Sequence, residues 1–147
     1  MDMSSQMKIE GQDARIEIAV RSYENTDAQL LSDANWLTCV VSLAIGPVTA
    51  AFDGNFTTQD FSRLRDQLAK GLAALKGTAL FETDEGALRF LVEFDNRGTA
   101  RVTGAAKIDE QTRVAVEFSF DTDQTFLRRT LTELDALCGA FPVKDRL

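Results

Sequence analysis

The chain has 147 residues, 44% hydrophobic and 27% charged, with a formal net charge of −7 and no histidine. A chain of this length buries enough surface to hold a core without a disulfide or a structural metal, and residues 1–147 are expected to form a single α+β domain. Lack of histidine excludes Ser-His-Asp and Cys-His catalysis and His-ligated metal sites, and the acidic balance disfavours direct contact with nucleic acid.

Residues 1–6 are polar and expected to be disordered. Residues 7–10 pair with the next segment through the turn Gly11-Gln12-Asp13. Residues 14–22 alternate, with Ile16, Ile18 and Val20 on one side, which is the pattern of a half-buried strand. Residues 23–35 show no period and carry Glu24, Asp27 and Asp33. Irregular segments of this length often serve function. Trp36 then opens an alternating strand, 36–45, whose inner face is Leu37, Cys39, Val41, Leu43 and Ile45. Gly46-Pro47 turns the chain into a short strand, 48–52, closed by Asp53-Gly54-Asn55. Thr57 is a suitable N-cap, with Asp60 three residues on. Phe61, Leu64, Leu68, Leu72 and Leu75 follow at helical spacing, and Gly77 ends the helix.

The second half repeats this order. Strands are expected at 78–82, 87–95, 99–108 and 113–121, with turns at Asp84-Glu85-Gly86 and Asn96-Arg97-Gly98. Val114, Val116, Phe118 and Phe120 are expected inside, and Gly104 marks a bulge or a close approach. A last helix starts near Asp123, carries Phe126, Leu127, Thr130, Leu131, Leu134, Leu137, Cys138 and Phe141 along one stripe, and stops at Pro142.

The element order is therefore ββββ-α-ββββ-α with short, mostly antiparallel connections. It predicts a two-layer sandwich: a sheet of about eight strands with two helices on one face. The other face is expected to be wet and to show Arg15, Glu17, Arg89, Glu93, Arg101, Lys107, Arg113 and Glu117. Such a face is either solvated, with cross-strand ion pairs, or a docking surface.

Chemistry is sparse. Cys39 and Cys138 lie on apolar stripes and read as core, with neither a CxxC spacing nor an activating neighbour. Asp121-Thr122-Asp123 offers two carboxylates for a divalent cation, but a capping role explains Asp123 without one. No Gly-rich phosphate loop is present, no basic-then-apolar leader opens the chain, and no apolar run reaches the length of a membrane span. These features predict a cytoplasmic, non-enzymatic protein without cofactor or metal, away from nucleic acid and membrane. The excess of acid suits a basic protein partner and serves solubility equally well.

Candidate partner-binding residues are Tyr23, Glu24, Asp27, Asp33 and Trp36 around the acidic loop, and Arg89, Glu93, Arg101 and Glu117 on the open face. Two other classes of function stand beside this one. One is a divalent-metal hydrolase built from distant carboxylates; the other is a homo-oligomeric module, such as a dimer, joined through a sheet edge or face.

Three stretches together carry a family resemblance. They are Tyr23-Glu24-Asn25 with Asn35-Trp36-Leu37; residues 61–75 followed by Gly77 and Phe81; and Asp123-Gln124-Thr125-Phe126-Leu127 leading to Phe141-Pro142-Val143. The ensemble, from about residue 23 to 143, resembles the WapI family of bacterial immunity proteins. Its motifs are caps, turns and core positions. The resemblance implies a protein that binds and blocks a cognate toxin domain, with no catalytic residues to carry over.

Overall fold

The computed structural model describes residues 5–147. Eight strands and three helices follow one another as β1 (Gln6–Gly11), β2 (Ala14–Tyr23), α1 (Leu31–Ala34), β3 (Trp36–Ile45), β4 (Val48–Thr57), α2 (Thr58–Ala74), β5 (Thr78–Glu82), β6 (Leu88–Phe94), β7 (Thr99–Asp109), β8 (Val114–Asp123) and α3 (Gln124–Ala140). The α+β class and the ββββ-α-ββββ-α order match the sequence expectation, with α1 as a single added turn inside the loop. Gln6 already belongs to β1 and is buried. The remainder of the segment expected to be frayed, residues 1–4, lies outside the described residues.

The eight strands form two antiparallel meanders, β1-β2-β3-β4 and β5-β6-β7-β8, rather than one continuous sheet. Each hairpin register follows from a short turn and from period-2 burial. Ile16, Ile18 and Val20 of β2 lie inside with Leu37, Cys39, Val41 and Leu43 of β3. The second meander contributes Phe81, Phe90, Val92, Val102, Phe118 and Phe120 to the same apolar cluster. At its centre, Phe81 meets Phe56 of β4 and Phe61 of α2 with ring centroids 5.4 and 5.5 Å apart, and stacks on Phe90 at 5.2 Å. One aromatic group thus joins both sheets and a helix.

The helices are exchanged between the two units. α2, which follows the first meander, lies against β5; α3, which follows the second, lies against β1; and the helices touch each other. Their side chains cap strand edges that would otherwise be open. Lys8 N–H donates to Glu133 Oε1 at 3.0 Å and Thr130 Oγ1 donates to the Lys8 carbonyl at 2.6 Å. Leu80 N–H donates to Gln67 Oε1 at 2.8 Å. A first strand with its outer edge satisfied in this way no longer offers a template for another chain. Between the sheets, Thr122 Oγ1 of β8 donates to the Glu10 carbonyl of β1 at 2.5 Å. Gly11 allows that approach, because a Cβ there would stand 2.1 Å from the Asp121 carbonyl oxygen.

Some local expectations are corrected. Asp53-Gly54-Asn55 does not close β4; the strand runs through it to Thr57. Gly54 faces inward beside Phe56, and a Cβ on it would meet that ring at 2.8 Å. The residues of a turn are here a strand that makes room for an aromatic ring. Helix α2 ends at Leu75, which takes the left-handed conformation (φ 52°), two residues before Gly77 (φ 91°). Arg113 lies in the turn before β8 at φ 59°, and Val114 is exposed rather than inside, since β8 overhangs the core at that end. Leu131 is half-buried at the rim of the stripe formed by Leu127, Thr130, Leu134 and Leu137.

The start of α2 shows how a cap becomes pH-sensitive. Thr57 and Asp60 form a reciprocal capping box, with Asp60 N–H donating to Thr57 Oγ1 at 3.2 Å and Thr57 N–H donating to Asp60 Oδ2 at 2.9 Å. Arg63 Nη2 lies 2.7 Å from the other carboxylate oxygen. Burial still pushes the Asp60 carboxyl above the usual range, against these hydrogen bonds and the arginine. Between the unfolded and the folded carboxylate values, the folded chain therefore keeps a proton on this group that the unfolded chain has released. Stability from this group is greatest below the unfolded carboxylate value and falls as pH rises through the folded one. Replacing Asp60 by asparagine keeps an acceptor for Thr57 N–H and is expected to flatten that part of the urea-stability profile. Glu133, also raised by burial, retains its own share. Asp60→Ala is expected to cost about 1 kcal/mol, because it removes the acceptor of Thr57 N–H from the capping box while Thr57 still caps the helix. An unchanged pH slope in the asparagine variant would show that Asp60 is not its source.

Candidate functional site

The candidate residues fall into two groups that the fold keeps on different sheets. Tyr23, Glu24, Asp27, Asp33 and Trp36 surround the β2–β3 connection on the first sheet. Arg89, Glu93, Arg101 and Glu117 lie on β6, β7 and β8 of the second. Of the wider wet face, Arg15 and Glu17 go with the first sheet, while Lys107 goes with the second.

On the second sheet the two candidate arginines each pair with an acid on a neighbouring strand, while Glu93 and Glu117 form no ion pair among the described residues. Arg89 Nε contacts Glu82 Oε2 at 2.7 Å and Arg101 Nε contacts Asp121 Oδ1 at 3.1 Å, both across neighbouring strands. Exposed pairs of this kind add little stability. Arg89 and Glu117 flank a shallow depression of about 510 Å³, floored by Gly104 and Ala105. Gly104 has no space for a side chain, since a Cβ would lie 2.3 Å from the Arg89 carbonyl oxygen. The Asp121/Asp123 pair is committed elsewhere: Asp121 to Arg101, and Asp123 Oδ1 to the Phe126 N–H at 3.0 Å, as the cap of α3. Among the described residues no three acidic or thiol groups are placed to hold a metal ion.

The first group has a different construction. Glu24 N–H donates to the Trp36 carbonyl at 2.9 Å, closing the base of the loop. Asn25 Nδ2 donates to the Asp33 carbonyl at 3.2 Å, and α1 turns residues 31–34 back toward β3. Asn35, 2% exposed, fastens the loop to the chain's last residues. Its Nδ2 donates to the carbonyls of Leu31 (3.3 Å) and Lys144 (3.0 Å). Its Oδ1 accepts from Lys144 N–H (2.8 Å) and from Thr58 Oγ1 (2.6 Å). Tyr23 completes the clasp. Its hydroxyl donates to the Pro142 carbonyl at 2.7 Å, Phe141 packs edge-on against its ring, and Lys144 Nζ stands 3.8 Å over the ring face. Partial burial raises the Tyr23 phenol above its ordinary value, so it remains a hydrogen-bond donor.

Glu24, Asp27 and Asp33 project from this frame as exposed acids, and none forms an ion pair among the described residues. Trp36 is half-buried on the outer side of β3, at the foot of the loop. Reading the sequence alone misses Asn35 and the tail after Pro142. The only local signal was an asparagine immediately before a strand, and Lys144, its partner on the tail, is 109 residues away.

Residues 7–142 match the profile of the Immunity protein WapI-like family. The chain belongs to this family. Among solved structures it is similar to a chain of the CdiA-CT/CdiI toxin and immunity complex from Enterobacter cloacae, with a TM-score of 0.43 and 9% identity. That match covers 67% of this chain and 88% of the other. Comparison with the curated proteins finds no match. The family match spans both sheets and both long helices, so both groups of candidate residues lie within it.

The thiols are structural in this setting. Cys39 is fully buried on β3, and burial pushes its pKa up to about 12; Cys138 on α3 is raised by the same cause, with Arg65 opposing. Thiolate is the reactive form, so neither is primed as a nucleophile at neutral pH. Native protein is expected to react with a thiol reagent only at the rate of unfolding at Cys39, and slowly at Cys138. Fast native labelling of Cys39 would contradict its placement.

Proposed function

We propose that this chain is an immunity protein that binds a toxin domain in the cytoplasm and blocks it by stoichiometric occlusion. Membership of the immunity family across residues 7–142 carries the reading. Its surface suits the role: the net charge is −7, and binding a basic domain gains from complementary potential in the rate of encounter. The action needs no bond-making group of its own. The exposed acids of the loop supply contact area, and the rigid sheet beneath limits the ordering cost of association.

The test uses the product of the gene immediately beside the one for this chain, which this reading expects to carry a toxin domain; an adjacent gene with no toxin domain would count against the reading. Co-expression is expected to restore growth to cells making that domain, and the purified proteins are expected to elute as a 1:1 complex. Survival without complex formation, with the toxin's product or substrate altered, would replace occlusion by an enzymatic function. A self-associated chain that ignores the toxin domain would favour the oligomeric module.

A further inference from the structure

The chain's negative charge is unevenly placed. From residue 22 to residue 62 there is no lysine or arginine, while Glu24, Asp27, Asp33, Asp53 and Asp60 all fall there. Asp60 is buried and paired with Arg63, which leaves the acids of the loop and of β4 facing solvent. Exposed large hydrophobics concentrate in the same region. Leu30 is 63% exposed, Leu31 38% and Val143 43%, with Leu147 beyond them on the tail. Loop and tail are one structural unit, because Asn35 Nδ2 bridges the Leu31 and Lys144 carbonyls. A groove of about 300 Å³ runs between them.

We infer that the loop of residues 24–35 and the tail of residues 143–147 together form the docking surface for the cationic face of the toxin domain. This rests on the immunity reading and names the surface that performs it. Each part has a physical role. Leu30 and Leu31 supply a desolvating centre, which is where binding energy concentrates. Glu24, Asp27 and Asp33 flank it and set charge complementarity; such rim charges act chiefly on the association rate. Lys144, held over the Tyr23 ring, and Arg146 on the tail offset part of this charge, but with Asp145 the acids of the two segments still outnumber the bases by four to two. The clasp through Asn35 and Tyr23 holds the loop before any partner arrives, so little ordering remains to be done on binding. The second sheet lacks this combination, since Arg89 and Arg101 are already paired and large apolar side chains are not concentrated there.

The experiment measures binding of the adjacent-gene toxin domain to the full chain and to three double variants. Leu30→Ser/Leu31→Ser is expected to weaken binding at least thirtyfold, on the order of a hot-spot loss, mainly through faster dissociation. Asp27→Lys/Asp33→Lys is expected to slow association at least tenfold and to remove most of its salt dependence. Arg89→Ala/Arg101→Ala on the second sheet serves as the comparison and is expected to stay within about threefold of the parent. All these residues are on the surface, so melting temperatures should match the parent. If the parent binds and both loop variants bind like it, the surface assignment is wrong while the immunity function stands. If the parent neither binds nor protects, the immunity function itself fails, and the surface with it. Light scattering that shows a dimer abolished by Leu30→Ser/Leu31→Ser would assign the patch to a second copy and overturn the proposal.

Discussion

Phe81→Ala is expected to lower stability by about 3–5 kcal/mol, the usual range for removing a buried phenylalanine. Phe81 is fully buried and meets rings from β4, α2 and β6. Truncation removes its own burial and also strips contacts from Phe56, Phe61 and Phe90, which belong to three different elements and cannot all close on the gap. In a chain of this size about 4 kcal/mol corresponds to a drop in melting temperature on the order of 10 °C. Urea titration followed by circular dichroism gives the magnitude. Fluorescence of Trp36 gives a sharper answer, because that residue sits on the first sheet while Phe81 is on the second. If the shared aromatic cluster couples the two meanders, both signals shift together and keep one midpoint. An early Trp-silent transition in the variant would show that the second meander unfolds alone.

The same cluster explains which parts of the fold were legible. Hairpin strands such as Ala14–Tyr23, Trp36–Ile45 and Leu88–Phe94 announce themselves, because their burial alternates with period two and their turns carry Gly, Pro, Asn or Asp. The helix starts at Thr57 and Asp123 were equally local, since a cap needs only its own next three residues. Three things were not local. The split into two sheets depends on β4 and β5 not pairing, which α2 decides by lying along β5. The exchange of helices between units depends on polar side chains of one half fitting the bare edges of the other, as Gln67 does for Leu80 and Thr130 for Lys8. And Asp53-Gly54-Asn55 has the composition of a turn, but the ring of Phe56 needs the bare Gly54 beside it.

For the candidate site, residue type was informative and connection was not. Glu24, Asp27 and Asp33 could be picked out because an aperiodic acidic loop between two strong strands is conspicuous. Tyr23 was picked as a contact residue, yet much of it is spent on Pro142, Phe141 and Lys144. Of the stretches that carried the family resemblance, those around Tyr23, Asn35 and Phe141-Pro142 turn out to be spatial neighbours, while residues 61–75 and 123–127 belong to the helices and their caps. What looked like separate motifs is one clasp, with its sequence cost spread over more than a hundred positions.

Asn35→Ala is expected to cost about 2–3 kcal/mol and to release that clasp. The amide is buried and makes four hydrogen bonds, two as donor and two as acceptor. Removing it strands the buried Thr58 hydroxyl and leaves both backbone groups of Lys144 to find water, and an unsatisfied buried partner typically costs about 1–3 kcal/mol. The full sum is not expected, because Thr58 Oγ1 has a second acceptor in Gln59 Oε1 at 3.2 Å and the tail is free to swing outward. The backbone bond from Thr58 N–H to the Asn35 carbonyl does not involve the side chain, so α2 should keep its start. The loss is therefore local as well as global. Hydrogen exchange at the Lys144 amide should rise far more than exchange in β2 or β3, and Trp36 emission should change before unfolding begins. Asn35→Asp is the informative companion: it keeps the two acceptor bonds but turns a carboxylate toward the Leu31 and Lys144 carbonyls, so it should not rescue the tail. A variant that melts with the parent and keeps Lys144 protected would mean that Tyr23 and Phe141 alone hold the tail. Should the loop and tail form the docking surface, Asn35→Ala must also weaken toxin binding, through a loop that has to be ordered anew at each encounter rather than through any contact it makes itself.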